Sequence, residues 1–555
     1  MGPGTDHDAA PIDRGAAALG LLTVLLADGR YLAGLSALLD PMVSMEPFYI
    51  GMARQPLLDI LREPPSWGPL YALWLTPFVA LLDDPFAVCA ANLAALSLAL
   101  TTLIYLHVLQ RTRRAALAVA AALLFLISDA NVPLAGKVGD FALLVLLAGW
   151  SVAALAPAGA RRTTFAGGTV FIAAYARPEL YPAALVLWLI ALQQARRERG
   201  LRGGAVFWPA TALALACALA LAVGTPVSGT ATSGDRLFDA FREHFAWNWG
   251  AWHGQWRPFQ TVWTEAFGAA ASLIDAARAN PGAVARHLAA NLAGSVAFLL
   301  GGAFRHYPVL APAGSATGVA IESWLLAALA YGALAAVALD GERRRLLLAR
   351  HGDLLLCYVV VSAFCLAAAT VVYPRPHYLA VPAVLALLAG ALAAALLVPE
   401  PRARPWPTRL LAAAVCLAIV PRPFLLPSAY AVPGAPFTAR VDVTRPVADT
   451  LATVRALALP PPVRVLTLTD GLGELLGAGY EEVKMWRKGP RPLRDYLRER
   501  HVDVIVAMQL EHDSFVVDDP LWTVIQTTPE AEGFVRVPVP GHEGVGVFVR
   551  AGGGS

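Results

Sequence analysis

Two carboxylates, Asp40 and Glu46, stand in the stretch Asp40-Pro-Met-Val-Ser-Met-Glu46-Pro-Phe-Tyr49-Ile-Gly-Met-Ala53-Arg54, directly after the first long apolar block of the chain. A carboxylate held at an apolar boundary can take a proton from a hydroxyl or an amine, so either is a candidate general base; the plain alternative is a pair of solvated loop acids. A second charged motif, Ala176-Arg177-Pro178-Glu179-Leu180, interrupts an apolar hairpin whose two ends carry Arg161/Arg162 and Arg196/Arg197. Ionisable groups at that depth are costly unless they face a partner or a cavity, so Arg177 and Glu179 either satisfy each other inside the turn or serve a ligand. A third, Tyr373-Pro374-Arg375-Pro376-His377-Tyr378, separates two late apolar blocks. Arg375 offers a fixed charge and a forked donor for phosphate oxygens and His377 a further donor, although tyrosine and arginine at this level also serve as interfacial anchors. Lys137 and Asp140 close the segment that starts at Ser128 and are candidates to line the same cavity, whereas Asp129 and Asn131 read as ordinary loop.

The elements that must position these groups are apolar helices. Of 555 residues, 57% are apolar and only 15% charged, more apolar surface than a water-soluble fold can hide. The apolar residues come in blocks of roughly 15 to 25, the length that crosses a bilayer. Arginine clusters at 111–114, 161–162, 196–202, 343–350 and 402–409 lie in short loops and should face the cytoplasm. With the N-terminus inside, spans are expected near 15–39, 86–110, 115–128, 139–157, 165–176, 180–195, 204–223, 319–339, 353–373, 378–398 and 409–427. The segments 67–82 and 291–304 break this alternation if they cross fully, so both are expected to be interfacial or re-entrant on the outer side. Asp28 and Arg30 weaken the first span. The expected architecture is a polytopic α-helical membrane protein, 1–426, with outer loops at about 40–85 and 224–318, followed by a small extracytoplasmic α/β domain, 427–555. That domain alternates expected strands (463–469, 502–508, 523–526, 545–549) with helical stretches at 447–457 and 492–500.

Other features carry less. All five cysteines fall in apolar blocks and read as packing residues. A net charge of +3 gives no reason to expect nucleic acid. The segment 238–263 gathers Trp247, Trp249, Trp252, Trp256 and Trp263 with His244 and His253; anchoring in the headgroup region comes first, sugar stacking second, and the histidines lack metal-site spacing. Gly471-Leu-Gly473-Glu-Leu-Leu-Gly477 opens a helix after a strand, but its third glycine is one residue late for a dinucleotide loop, and that reading is rejected. No removable signal peptide is evident, and the first apolar block reads as a retained span.

The order of these motifs resembles the GT-C superfamily of polyprenyl-phosphate-sugar glycosyltransferases, which includes protein O-mannosyltransferases and aminoarabinose transferases of lipid A. The resemblance covers most of the chain. It is carried by an acidic residue and Tyr49 after the first span, by Pro64-Pro65-Ser-Trp67-Gly-Pro69-Leu-Tyr71, by the Arg177 and Arg375 motifs, and by the C-terminal outer domain. It departs from the family in lacking an adjacent Asp-Glu pair. Alignment on Tyr49 puts Glu46 in the acidic position, and distance from the first span favours Asp40. The resemblance implies about 11–13 membrane helices in a bacterial cytoplasmic membrane, N-terminus inside and C-terminal domain outside. It also implies an inverting transfer of a sugar from a polyprenyl-phosphate donor to a protein, lipid or glycan acceptor. Glu46 or Asp40 would be the base; Arg375, His377, Arg177 and Lys137 would hold the donor phosphate; Glu179, Asp140, Tyr49 and Tyr378 would meet sugar or acceptor. No metal ligands stand out, although a divalent metal stays open as a cofactor, and membrane lipids are the expected surroundings. A transporter or flippase for a lipid-linked or small solute, and a catalytically silent scaffold of the same architecture, are the rival functions.

Overall fold

The computed structural model describes residues 12–32, 46–62, 68–131, 137–199, 207–224, 236–255, 257, 259–301, 316–398, 406–419, 446–468, 471–488, 491–508 and 519–551. Asp40, Trp67 and Trp256 lie outside the described residues, as do Arg402 and Arg404.

The chain is mostly helical with a small C-terminal sheet. Its first part comprises α1 (Arg14–Leu32), α2 (Glu46–Ala53), α3 (Leu57–Arg62), α4 (Leu70–Leu81), α5 (Pro85–Thr112), α6 (Ala115–Leu126), α7 (Val138–Ala153), α8 (Ala160–Ala174), α9 (Tyr181–Arg199) and α10 (Phe207–Val223). There follow α11 (Arg236–His253), α12 (Phe259–Phe267), α13 (Leu273–Ala279), α14 (Pro281–Leu300), α15 (Ala316–Leu339), α16 (Gly341–Val371), α17 (Pro376–Leu397) and α18 (Trp406–Ile419). Each expected span from 15–39 to 409–427 has a helix in place. Their boundaries follow local chemistry. Asp84 accepts from the Phe86 N–H and Pro85 takes the first helical position of α5, where no backbone donor is needed. Asn280 and Pro281 start α14 in the same way. Asp340 caps α16, which thereby begins at Gly341 and draws the Arg343–Arg345 cluster, expected in a loop, into its first turns.

Among the described residues, five helices, Arg14–Leu32, Pro85–Thr112, Pro281–Leu300, Gly341–Val371 and His377–Leu397, are long and apolar enough to cross a membrane. The burial pattern of the bundle inverts that of a water-soluble protein. Leucines 213, 215 and 221 of α10, 325 and 329 of α15, and 410 and 411 of α18 point outward. Asp28, Asn92, Ser97, Thr101 and Asn131 are buried. The Asp28 carboxylate, which weakened α1 in the sequence, accepts from Ser97 Oγ at 2.9 Å, and Ser97 accepts in turn from Asn131 Nδ2 at 3.1 Å. One continuous core joins α1, α4 to α9, α16 and α17. The helix α17 is more deeply buried than the other four long apolar helices.

The two segments outside the alternation are α4, only 12 residues long, and the second half of α14; α14 starts ten residues earlier than the expected segment and at 20 residues is long and apolar enough to cross. Asn291 of α14 donates to the carbonyls of Thr370 and Val372 at 2.9 and 3.2 Å, so α14 runs beside the last turn of α16.

The C-terminal domain consists of α19 (Pro446–Ala456), β1 (Val463–Thr467), α20 (Leu472–Leu476), β2 (Tyr480–Lys484), α21 (Leu493–Glu499), β3 (Val504–Ala507), α22 (Pro520–Thr527), β4 (Phe534–Val537) and β5 (Gly546–Arg550). The sheet order is β2-β1-β3-β5-β4, with β1 parallel to β2 and β3, and β5 antiparallel to β3 and β4. Separate cores cover its two faces. The strand expected at 523–526 is instead helix α22. Asp519 caps it, Pro520 leads it, and Leu521, Trp522 and Ile525 share one buried side, a spacing that suits a helix and not a strand.

The bundle brings its charged turn to α4 through a glycine. Gly68 has φ +83°, and a Cβ there would lie 2.1 Å from the Tyr175 carbonyl, which also accepts from the Leu70 N–H at 3.3 Å. Gly68→Ala should therefore lower stability by about 2–3 kcal/mol, from positive-φ strain plus the backbone clash. Thermal unfolding of the purified protein reads this, and an unchanged midpoint would refute the close approach.

Candidate active site

Glu46 is the first residue of α2 and its side chain is only 7% exposed. One carboxylate oxygen, Oε1, accepts from the backbone N–H of Lys137 at 2.6 Å. The other, Oε2, is buried with no partner among the described residues. Burial pushes the carboxyl up to about 7, against the pull of the Lys137 N–H and the nearby Lys137 ammonium. The charge of Lys137 is itself matched, because Nζ lies 2.6 Å from Asp140 Oδ2 and both side chains are buried. Lys137 and Asp140 stand three residues apart at the start of α7, on one side of the helix, so the pairing follows from helical spacing.

Behind Glu46 the wall is aromatic. Tyr49, one turn along α2, meets Tyr71 of α4 edge to face at 4.8 Å. The Tyr71 hydroxyl accepts from Asn92 at 2.8 Å, and Asn92 accepts from Trp74 at 2.7 Å, while Phe141 of α7 packs on Tyr71 at 5.5 Å. This packing keeps α2, α4, α5 and α7 in register around the carboxylate.

The second charged cluster is built where α8, α9, α16 and α17 end. Arg177 and Glu179 form an ion pair inside their turn, the self-satisfied arrangement that the sequence left open, and the Arg177 guanidinium also lies 4.6 Å from the centre of the Tyr378 ring. Arg375 makes no ion pair among the described residues and rests over Trp247 of α11 at 4.8 Å. His244, one turn from Trp247, stacks on Tyr373 at 5.4 Å and is held neutral, its pKa lowered to about 3 by burial and by the Arg375 charge. Burial raises the Glu243 carboxyl, and Arg375 opposes that rise. His377 is buried beside Tyr378, ring centres 4.5 Å apart. The two clusters meet at one point: a Cβ on Gly139 would lie 2.7 Å from the His377 carbonyl, so the start of α7 touches the start of α17.

Of the residues singled out from sequence, Glu46, Tyr49, Lys137 and Asp140 thus form one cluster and Arg177, Glu179, Arg375, His377 and Tyr378 the other. Asp40 lies outside the described residues. His244, Glu243 and Trp247 were not foreseen at Arg375. The signal was present in their spacing on α11, but tryptophans in an amphipathic stretch suit membrane anchoring equally well. Among the described residues no group of three or more His, Cys, Asp or Glu side chains is placed to hold a metal ion.

The glycine turn of the C-terminal domain also acquires a place. Glu482 Oε1 accepts from Thr467 Oγ1, the Gly471 N–H and the Gly473 N–H at 2.8, 3.0 and 3.4 Å, which holds the turn at the start of α20. Gly471, at φ +93°, comes against Pro47, and a Cβ on Gly51 would lie 2.6 Å from the Glu474 carboxyl carbon. The turn that resembled a nucleotide loop is a docking surface for α2, the helix that starts with Glu46.

No protein-family model matches this chain, and comparison with curated proteins finds no match.

Two outcomes follow. A carboxyl moved from its ordinary 4.5 to about 7 disfavours ionisation in the folded state, so stability present at low pH is lost as pH rises through that interval. The loss is about 3 kcal/mol by the usual conversion. Glu46→Gln should flatten this dependence in thermal unfolding across a pH series, and identical curves would contradict a buried ionising Glu46. Gly139→Ala should part α7 from α17 at the His377 carbonyl, costing about 1–3 kcal/mol by overpacking. An unchanged unfolding midpoint would contradict the contact.

Proposed function

We propose that the chain is an integral membrane glycosyltransferase of the GT-C kind, moving a sugar from a polyprenyl-phosphate donor to an acceptor at the outer face of a bacterial cytoplasmic membrane. In this reading the eleven helices that match the expected spans cross the bilayer, and α2, α4, α11 and the C-terminal domain lie at its outer side. The observation that carries the proposal is Glu46: a buried carboxylate with one oxygen fixed and one without a partner among the described residues, poised near neutrality beside the Lys137–Asp140 pair. A general base works best when its pKa lies near the working pH.

In the proposed reaction the acceptor hydroxyl or amine gives its proton to Glu46 Oε2 as its lone pair attacks the anomeric carbon. The bond from that carbon to the phosphate oxygen breaks on the opposite face, the electron pair leaves with polyprenyl phosphate, and configuration inverts. Arg375 supports the phosphate role best, since its guanidinium makes no ion pair among the described residues and lies over the Trp247 ring. Arg177 is already paired with Glu179 and contributes charge from behind Tyr378. Lys137 serves more readily as the anchor of Glu46 than as a phosphate ligand, because Asp140 occupies its ammonium.

The proposal is tested by incubating the purified protein with radiolabelled polyprenyl-phosphate sugars and candidate acceptors. Glu46→Gln should reduce transfer by about 10²–10⁴-fold, the range of general-base catalysis. Arg375→Ala should reduce it by about 10²–10³-fold, as when a donor to a developing anion is lost. Transfer that survives both changes would sink the assignment of residues. Absence of transfer from every donor, together with solute uptake in proteoliposomes, would point instead to a transporter.

A further inference from the structure

Two histidines of α11 make the same local bond in different surroundings. His244 Nδ1 lies 2.5 Å from the Ala240 carbonyl, and His253 Nδ1 lies 2.7 Å from the Trp249 carbonyl, each one turn back along the helix. A carbonyl oxygen only accepts, so in a neutral ring Nδ1 carries the proton and Nε2 is left with a lone pair that calls for a donor. His253 is exposed, and solvent supplies that donor. His244 is 5% exposed, and its Nε2 is buried with no partner among the described residues.

The His244 ring is fixed in this position. Tyr373 stacks on it at 5.4 Å, Trp247 meets it edge to face at 4.8 Å, and the Ala240 bond sets its rotation. Burial and the Arg375 charge keep it neutral, so Nε2 stays an acceptor. One turn further along α11 the packing meets the same demand in full. Asn248 donates to His287 Nδ1 at 3.0 Å, and His287 Nε2 donates to the Val371 carbonyl at 3.2 Å, so both nitrogens of that buried histidine are engaged. A buried acceptor without a donor is unfavourable, and beside a satisfied neighbour it marks a bond that a ligand completes.

The setting defines the ligand. The Trp247 ring that His244 meets also lies under the Arg375 guanidinium, at 4.8 Å. One tryptophan is therefore flanked by a fixed cation and by a neutral acceptor. An ionised phosphate oxygen suits the first and has no proton for the second. A glycosyl phosphate has both parts, because the hydroxyls of its sugar ring lie close to the phosphate that the ring carries.

We propose that His244 selects the donor by accepting a hydrogen bond from a hydroxyl of the transferred sugar, while Arg375 holds the phosphate to which that sugar is bonded. This inference rests on the glycosyltransferase reading of Arg375.

The experiment follows thermal unfolding of the full-length protein in detergent with polyprenyl phosphate and with its mannose, glucose and aminoarabinose forms. A ligand that binds the folded state raises the midpoint with concentration. Wild type should bind at least one sugar-bearing lipid about tenfold more tightly than polyprenyl phosphate, as expected for one hydrogen bond to a buried group. His244→Phe keeps a ring against Tyr373 but offers no acceptor, and should bind that lipid no better than polyprenyl phosphate. His244→Gln, whose amide oxygen replaces the acceptor, should recover part of the preference, and His253→Phe should leave it whole. On the wild-type protein, one of the monodeoxy forms of the preferred lipid should lose the preference, a result that requires no variant to fold. Equal binding of all four lipids by wild type, a preference that persists in His244→Phe, or a preference kept by every monodeoxy form would overturn the role of His244. If Arg375→Ala still abolishes binding in those cases, the phosphate site stands without it. No shift with any of the four lipids would overturn both.

Discussion

The bond from the Lys137 N–H to Glu46 joins residues 91 positions apart, and the rest of the site is arranged around it. A carboxylate withdrawn from water is unfavourable by several kcal/mol unless donors replace the lost hydration. Here the Lys137 N–H serves one oxygen, and the Lys137 ammonium is already tied to Asp140. The carboxyl is therefore stabilised enough to persist in the fold but too little to ionise readily. That partial compensation is the feature a proton acceptor needs.

Keeping so delicate a balance requires that α2 be held on every side. Tyr49 and Tyr71 fix it from the bundle, and the Gly471 turn and Glu474 of the C-terminal domain pack on Pro47 and Gly51. The sheet domain thus packs directly on the helix that begins with Glu46. The glycines matter because backbone must approach backbone: Gly68 at Tyr175 and Gly139 at His377 each close a contact that no side chain would allow.

The bundle has a polar division along its length. At one end, cations and carboxylates are paired, stacked on aromatic rings or left with one open oxygen. At the other, arginines from α5, α8 and α16 gather around a small cavity. Between them the interior is apolar apart from local networks such as Asp28 with Ser97 and Asn131. Both ends follow from one constraint: charge is tolerated in an apolar bundle only where water, a partner or an aromatic face replaces hydration.

Sequence alone set out the eleven expected spans, because long apolar runs state their own lengths, but it placed the apolar segment of α14 at 291–304 instead of Pro281–Leu300 and left α11 to α13 inside an outer loop. It also singled out Glu46, Lys137, Asp140, Arg177 and Arg375, since ionisable residues beside apolar runs are conspicuous. The edge strands β2 and β4 were not legible: Tyr480-Glu-Glu-Val-Lys484 reads as polar because an edge strand buries little. Nor was α22, whose short apolar run fits strand and helix equally until the Asp519 cap is counted. Only the tertiary structure decided which charges meet. It paired Arg177 with its neighbour Glu179, set Arg375 on Trp247, and used the glycine turn to dock α2. The Arg177–Glu179 pair was one of two readings open from the sequence; the contacts of Arg375 and of the glycine turn depend on how helices pack over long sequence separations, and residue spacing along one chain carries no record of that.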